Sequence, residues 1–179
     1  MARFRRILNV KDLSKAPLIV WLTELGFNAD EDDDGDLRFD ITPYFNGHLL
    51  VGEAMIELLI VERYEHLDES MGVKLVNQLN GRRFTPKWLW RDGGSVLCAY
   101  RYDWQGNVSF SSFARVVRMF GAMATKGYQW VEQADDAARR YKEANAEDQE
   151  VEAGEASASK QAESGDANTG TESPAKTLH

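Results

Sequence analysis

The chain has 179 residues, 43% of them apolar, and a net charge of −8, which is enough for one folded domain with a real core. The charge is uneven: residues 1–130 carry 16 Lys and Arg against 17 Asp and Glu, and residues 131–179 carry 5 against 12. A near-neutral body lacks the basic excess of most nucleic-acid-binding domains, a single cysteine excludes an intramolecular disulfide, and no apolar run is long enough to span a bilayer.

Residues 1–10 form a basic segment with Arg3, Arg5 and Arg6. This segment has no apolar stretch of signal-peptide length, and with the lone Cys98 it makes the cytoplasm the expected location. The spacing then predicts a helix over Lys11–Phe27, with Ser14 as cap, Pro17 in the first turn, and Leu18, Trp21, Leu22 and Leu25 on one stripe. Gly26 should end it.

Asn28–Asp36 is acidic and partly matches a calcium loop, with Asp30, Asp32 and Asp34 at alternate positions and Gly35 after them. The pattern then fails, because Ile41 stands where the bidentate glutamate belongs and Arg38 at another ligand position. The alternation of Leu37, Phe39 and Ile41 instead predicts a strand over Leu37–Thr42 that follows an acidic turn. Asn46-Gly47 reads as a turn signal. Between His48 and Arg63 the pattern favours one or two antiparallel strands, with a helix as the alternative.

Met71, Leu75, Val76 and Leu79 predict an amphipathic helix, capped by Asp68 or Ser70 and ended by Asn80-Gly81 in a left-handed conformation. Lys87–Arg91 and Ser95–Asp103 then form a hairpin around Asp92-Gly93-Gly94. Trp88 and Trp90 share one face of it with Val96, Cys98, Tyr100 and Tyr102, and Trp104 follows in the same parity. This aromatic face is expected to pack beneath helices. Exposed, it would be a stacking platform for a peptide or single-stranded nucleic acid.

Ser109, Ser111 and Ser112 are cap candidates for a last helix whose apolar face runs from Phe113 to Ala124. A break is expected near Gly127, with helix resuming over Tyr128–Asn145. From Ala146 the chain turns to Glu, Ala, Ser, Gly and Thr, the composition of a disordered acidic tail. The domain reading is thus a segment 1–10, a body 11–130, a helical extension 131–145 and a tail 146–179.

No catalytic or metal-binding constellation is legible. Cys98 sits mid-strand on the aromatic face, and only His48, His66 and His179 could assist it. The chain is read as a non-enzyme without a cofactor. The class is α+β, an antiparallel sheet with helices on one face, the N-terminal helix first and a long C-terminal helix last.

The run Val76-Asn77-Gln78-Leu79-Asn80, the strand Pro86-Lys87-Trp88-Leu89, the Asp92-Gly93-Gly94 turn, Val108-Ser109 and the Asp34-Gly35-Asp36-Leu37 turn resemble the YbjN family, whose fold is similar to that of type III secretion chaperones. The resemblance spans Ser14 to Met123. It implies a small bacterial cytosolic protein without known catalysis, linked to regulation or chaperone-like binding, and the related chaperones work as dimers. The sequence departs from that pattern in a longer Pro43–Met55 segment, a hairpin richer in Trp and Tyr, and the acidic tail. The expected partner is a protein, bound at a sheet edge or in helix–sheet grooves, and a homodimer is expected. Trp88, Trp90, Tyr100, Tyr102, Trp104 and Trp130 are the candidate contact residues, since aromatics carry interface energy disproportionately. The alternative is a single-stranded nucleic-acid-binding protein that uses the aromatic face with Arg3, Arg5, Arg6, Arg82 and Arg83.

Overall fold

A computed structural model describes residues 6–42, 45–81 and 86–163. Within the unit 1–137 the chain order is β1 (Ile7–Asn9), α1 (Lys15–Glu24), β2 (Ala29–Glu31), β3 (Leu37–Thr42), β4 (Phe45–Gly52), β5 (Met55–Arg63), α2 (Glu69–Asn80), β6 (Lys87–Arg91), β7 (Ser95–Asp103), β8 (Asn107–Ser109) and α3 from Phe110. Six strands form one antiparallel sheet in the order β2-β3-β4-β5-β7-β6, and β1 pairs with β8 in a separate two-stranded ribbon. This is the expected α+β class, with the helices gathered on one face of the sheet.

The registers put Phe39, Leu49, Leu58, Ile60, Val96, Cys98 and Trp88 on that covered face, all buried. The Tyr128 hydroxyl of α3 is its central pin: it lies 2.8 Å from the Ile60 carbonyl and 3.0 Å from that of Val96, so one proton is shared between β5 and β7. Phe45 stacks on the Tyr128 ring at 5.0 Å, and Trp88 meets it edge-on at 5.0 Å. Burial is the main cause that pushes the Tyr128 phenol well above its ordinary pKa, which keeps it a neutral donor.

Gly127 explains how Trp88 fits. A β-carbon there would collide with the Trp88 ring, so the glycine lets the helix lie directly on the indole. The predicted helix break near Gly127 is therefore corrected: α3 runs unbroken from Phe110 to Glu163, because tertiary packing outweighs the propensity cost of about 1 kcal/mol for one glycine. Gly72 of α2 plays the same part for Trp90. This moves the buried stripe of α2 to Gly72, Val76 and Leu79 and leaves Met71, expected inside, 42% exposed.

Other local expectations shift for identifiable reasons. α1 is shorter than Lys11–Phe27, since Val10–Asp12 forms a separate 3-10 turn; Leu18, Trp21 and Leu22 are buried as the stripe predicts. Asn46-Gly47 is not a turn but lies inside β4, where a side chain at Gly47 would collide with Ile41. The next reversal comes at Glu53-Ala54, with Ala54 at φ 60°. His48–Arg63 is strand in β4 and β5, as favoured. Asp68 caps α2 through a 2.8 Å bond to the Met71 N–H, and Ser109 caps α3 through a 3.1 Å bond to the Ser112 N–H. Gly81 ends α2 at φ −65°, not in the left-handed region.

The unit 138–179 continues α3 to Glu163, through Ala, Glu, Gln and Lys that favour helix. The composition-based expectation of a disordered tail from Ala146 meets helix up to that residue, and residues 164–179 lie outside the described residues.

Gly127→Ala should lower stability by about 1–2 kcal/mol in urea unfolding despite alanine's better helix propensity, because it overpacks the Trp88 site. In a Trp88→Phe background the same substitution should cost clearly less. Equal costs in both backgrounds would show that the indole is not what the glycine accommodates.

Candidate functional site

The hairpin's aromatic side faces the helices. Trp88 is 1% exposed and Trp104 is buried, while Trp90, Tyr100, Tyr102 and Trp130 are half-buried. Trp90 sits on Gly72, Tyr100 packs on Phe120 at 6.4 Å, and Tyr102 packs on Trp104 at 4.8 Å. Trp88 and Trp104 are thus committed to the interior, and the hairpin presents no open stacking platform. Of the arginines in the nucleic-acid reading, Arg6 is exposed, and Arg3, Arg5, Arg82 and Arg83 lie outside the described residues.

The opposite face of the sheet is open, and sequence reasoning passed over it. Register alignment places Leu89, Leu97 and Val61 in one row across β6, β7 and β5, with Lys87, Ala99, Leu59 and His48 in the next row and Arg101, Glu57 and Leu50 in the one after. Leu89 is 50% and Val61 45% exposed; Leu97, Leu59 and Leu50 are half-buried. The signal was in the hairpin's second parity, where Leu89, Leu97 and Ala99 alternate with the tryptophans and tyrosines. Arg63, Ser95 and Arg91 form the flanking row, with Lys87 beside Ala99. Among the described residues none of Arg63, Arg91 and Lys87 is paired with a carboxylate.

Both edges of the sheet are blunted. β2 is three residues long, and its Asp30 is paired with Arg38 at 3.1 Å. At β6 the Asn80 side chain stands in for a neighbouring strand: its amide donates to the Trp88 carbonyl at 2.7 Å and its oxygen accepts from the Trp88 N–H at 2.8 Å. Such capping removes the template that an unpaired edge offers to another strand.

A cavity of about 560 Å³ lies on the covered side, between the end of β5 and α3. Phe45, Glu62, Tyr64, Thr125, Gln129 and Glu132 line it. Burial, and then the nearby Glu132 carboxylate, push the Glu62 pKa up. Behind it, Asp135 accepts hydrogen bonds from the His66 and Leu67 N–H groups at 2.9 and 3.0 Å, fixing the chain after β5 against α3. A larger depression of about 950 Å³ follows the outer side of α2, but its described lining comes from that helix alone.

Chemistry is sparse in these surroundings. Cys98 is fully buried, and burial pushes its thiol far above the usual range, away from the reactive thiolate. The acidic turn is held by Asp32, whose carboxylate accepts from the Asp34 and Asp36 N–H groups, so part of its oxygen capacity is spent on the backbone. Among the described residues, no three His, Cys, Asp or Glu side chains are placed to hold a metal ion, and no helix is long and apolar enough to cross a membrane.

The fold and its surfaces define an α+β scaffold that turns the aromatic side of its hairpin inward and leaves the other sheet face uncovered by any described helix. The YbjN family, described as "Putative bacterial sensory transduction regulator", matches residues 15–133, and the chain belongs to this family. It is similar to a crystal structure described as "YbjN, a putative transcription regulator from E. coli", at 18% identity and a TM-score of 0.52, over 62% of this chain and 85% of that one. No curated protein matches the sequence.

Asn80→Ala should cost about 1–3 kcal/mol in urea unfolding, because the edge groups of Trp88 lose both partners. Glu62→Gln should act in the other direction. A folded-state carboxyl with a raised pKa contributes stability that is complete below its unfolded value of 4.5 and lost as pH rises through the folded value. Wild type should therefore weaken across that window, while Glu62→Gln should flatten this part of the pH profile. At pH 7 the variant should gain less than about 1 kcal/mol, allowing for solvent screening at a part-exposed site.

Proposed function

We propose that the chain is a non-catalytic protein-binding module of regulatory or chaperone-like kind, working as a cytoplasmic homodimer and engaging its partner on the open sheet face. The carrying observation is the apolar row Leu89, Leu97 and Val61 on the sheet face opposite the helices, with Leu89 and Val61 exposed and Leu97 half-buried. Membership of a family described as a regulator supports a binding role in place of turnover. Strand addition is disfavoured by the short acidic β2 and by the Asn80 cap on β6, so side-chain docking on the face is the favoured mode. Arg63, Arg91 and Lys87 at its border suit a client segment that mixes apolar and acidic side chains.

The test is the full-length Val61→Glu/Leu89→Glu variant beside wild type, by sedimentation velocity and by retention of lysate proteins. Both substitutions are at exposed positions, so the unfolding midpoint should hold. A dimer that becomes monomeric places the homodimer contact on this face. A preserved dimer that loses a stoichiometric partner, with at least a tenfold drop in affinity for it, makes the face the client site. Unchanged assembly and unchanged retention would sink the proposal.

A further inference from the structure

The cavity between β5 and α3 brings two carboxylates and a phenol together. Glu62 and Glu132 are carboxylates within Coulombic reach of each other, and neither has an ion pair or hydrogen bond among the described residues. Tyr64 lines the same space, is only 8% exposed, and its hydroxyl has no hydrogen-bond partner among the described residues. That hydroxyl is not among the sealed-off polar atoms of the core, so it opens to the cavity. Thr125, Gln129 and Glu132 come from one stripe of α3 at i, i+4 and i+7, so their polar groups converge on the cavity from the helix side. Phe45 adds an aromatic wall.

We propose that this cavity is a binding site for an organic cation, an ammonium or guanidinium group carried on an aliphatic stem, held by the carboxylates of Glu62 and Glu132 and the hydroxyl of Tyr64. The N–H donors of such a group match a lining rich in acceptors, and its charge relieves the repulsion between the two glutamates. Aromatic walls favour an organic cation over a hydrated ion. A bare metal ion would need ligands that the described residues do not bring together. The volume suits a small ligand or one long side chain. Arg63 also reaches the rim of the cavity, but its Cα belongs to the opposite parity of β5, its side chain is exposed, and it forms no ion pair with either glutamate. The site is independent of the open sheet face, so neither reading depends on the other.

Two sources share this chemistry: a free aliphatic diamine, and a lysine or arginine side chain offered by a protein. The test is calorimetric titration of the full-length chain at fixed ionic strength with putrescine and, separately, with Nα-acetyl-lysine-N-methylamide. Saturable one-to-one binding of either probe is expected, weakened at least tenfold by Glu62→Gln and by Glu132→Gln and several-fold by Tyr64→Phe. Glu24→Gln, at an exposed position at the end of α1, should leave it unchanged. Binding of putrescine alone would identify the ligand as a free diamine, and binding of the lysine amide alone would identify it as a side chain; either supports the site. The glutamine variants should unfold at or above the wild-type midpoint, which separates lost binding from lost folding. Absence of saturation with both probes up to millimolar concentration would overturn the proposal. So would equal weakening by Glu24→Gln, the signature of diffuse attraction to a chain of net charge −8.

Discussion

The contact between Trp88, Gly127 and Tyr128 is the constraint on which the rest of the fold depends. An indole is the largest side chain a core can hold, and here it lies against bare helix backbone, because any β-carbon at Gly127 would occupy the ring's space. One residue further along α3, Tyr128 ties its hydroxyl to carbonyls of β5 and β7. Together they set how close the helix comes to the sheet and at which rung it sits. Emptying the Trp88 site would cost about 3–5 kcal/mol, a large part of the stability of an ordinary domain.

That contact has a consequence for function. With the aromatic residues of β6 and β7 facing α2 and α3, the sheet's other face carries an apolar cluster of Leu89, Leu97, Val61, Ala99 and Leu59 among charged and polar residues. A face that no described element covers is expected to be polar, since antiparallel sheets commonly turn one side to water. Its centre is apolar and its border charged, with Arg63, Arg91 and Lys87 at one end and Glu57, Arg101 and Asp103 at the other. The blunted edges point the same way: a protein that has spent the Asn80 side chain on closing β6 is protected against strand addition.

The cavity on the covered side belongs to a different kind of chemistry. Glu62 is partly desolvated there, and the exposed Glu132 carboxylate repels it. Groups placed at such a cost are found where a ligand of opposite charge offsets it. As proposed, the sheet face and the cavity are two separate recognition sites, one dominated by apolar area and the other by charge.

Much of the architecture was legible in the chain. Period-two runs at Leu37–Thr42 and Lys87–Asp103, the cap at Asp68 and the stripe Leu18, Trp21 and Leu22 follow from local geometry that any reader of side-chain spacing can apply. The residues of the YbjN-like signature were legible too, although why Asn80 ends it was not: its amide bonds a strand eight residues away in sequence, not its own helix end. Glycines misled for the same reason. Gly47 and Gly127 read as a turn and a break because local propensity prices a missing side chain as a loss, whereas a neighbouring ring or methyl group makes it a requirement. The site shows the difference most clearly. Alternation determined that the hairpin has an aromatic face and a mixed face charged towards its ends, but which face meets the helices is a property of the packed layers. Likewise Glu62 and Glu132 share a cavity only because β5 ends beneath α3. Sequence by itself determined most of the longer elements, their class and the family; only the tertiary structure decided the short strands, the roles of Gly47 and Gly127 and which sheet surface stays uncovered, because burial depends on contacts between segments far apart in the chain.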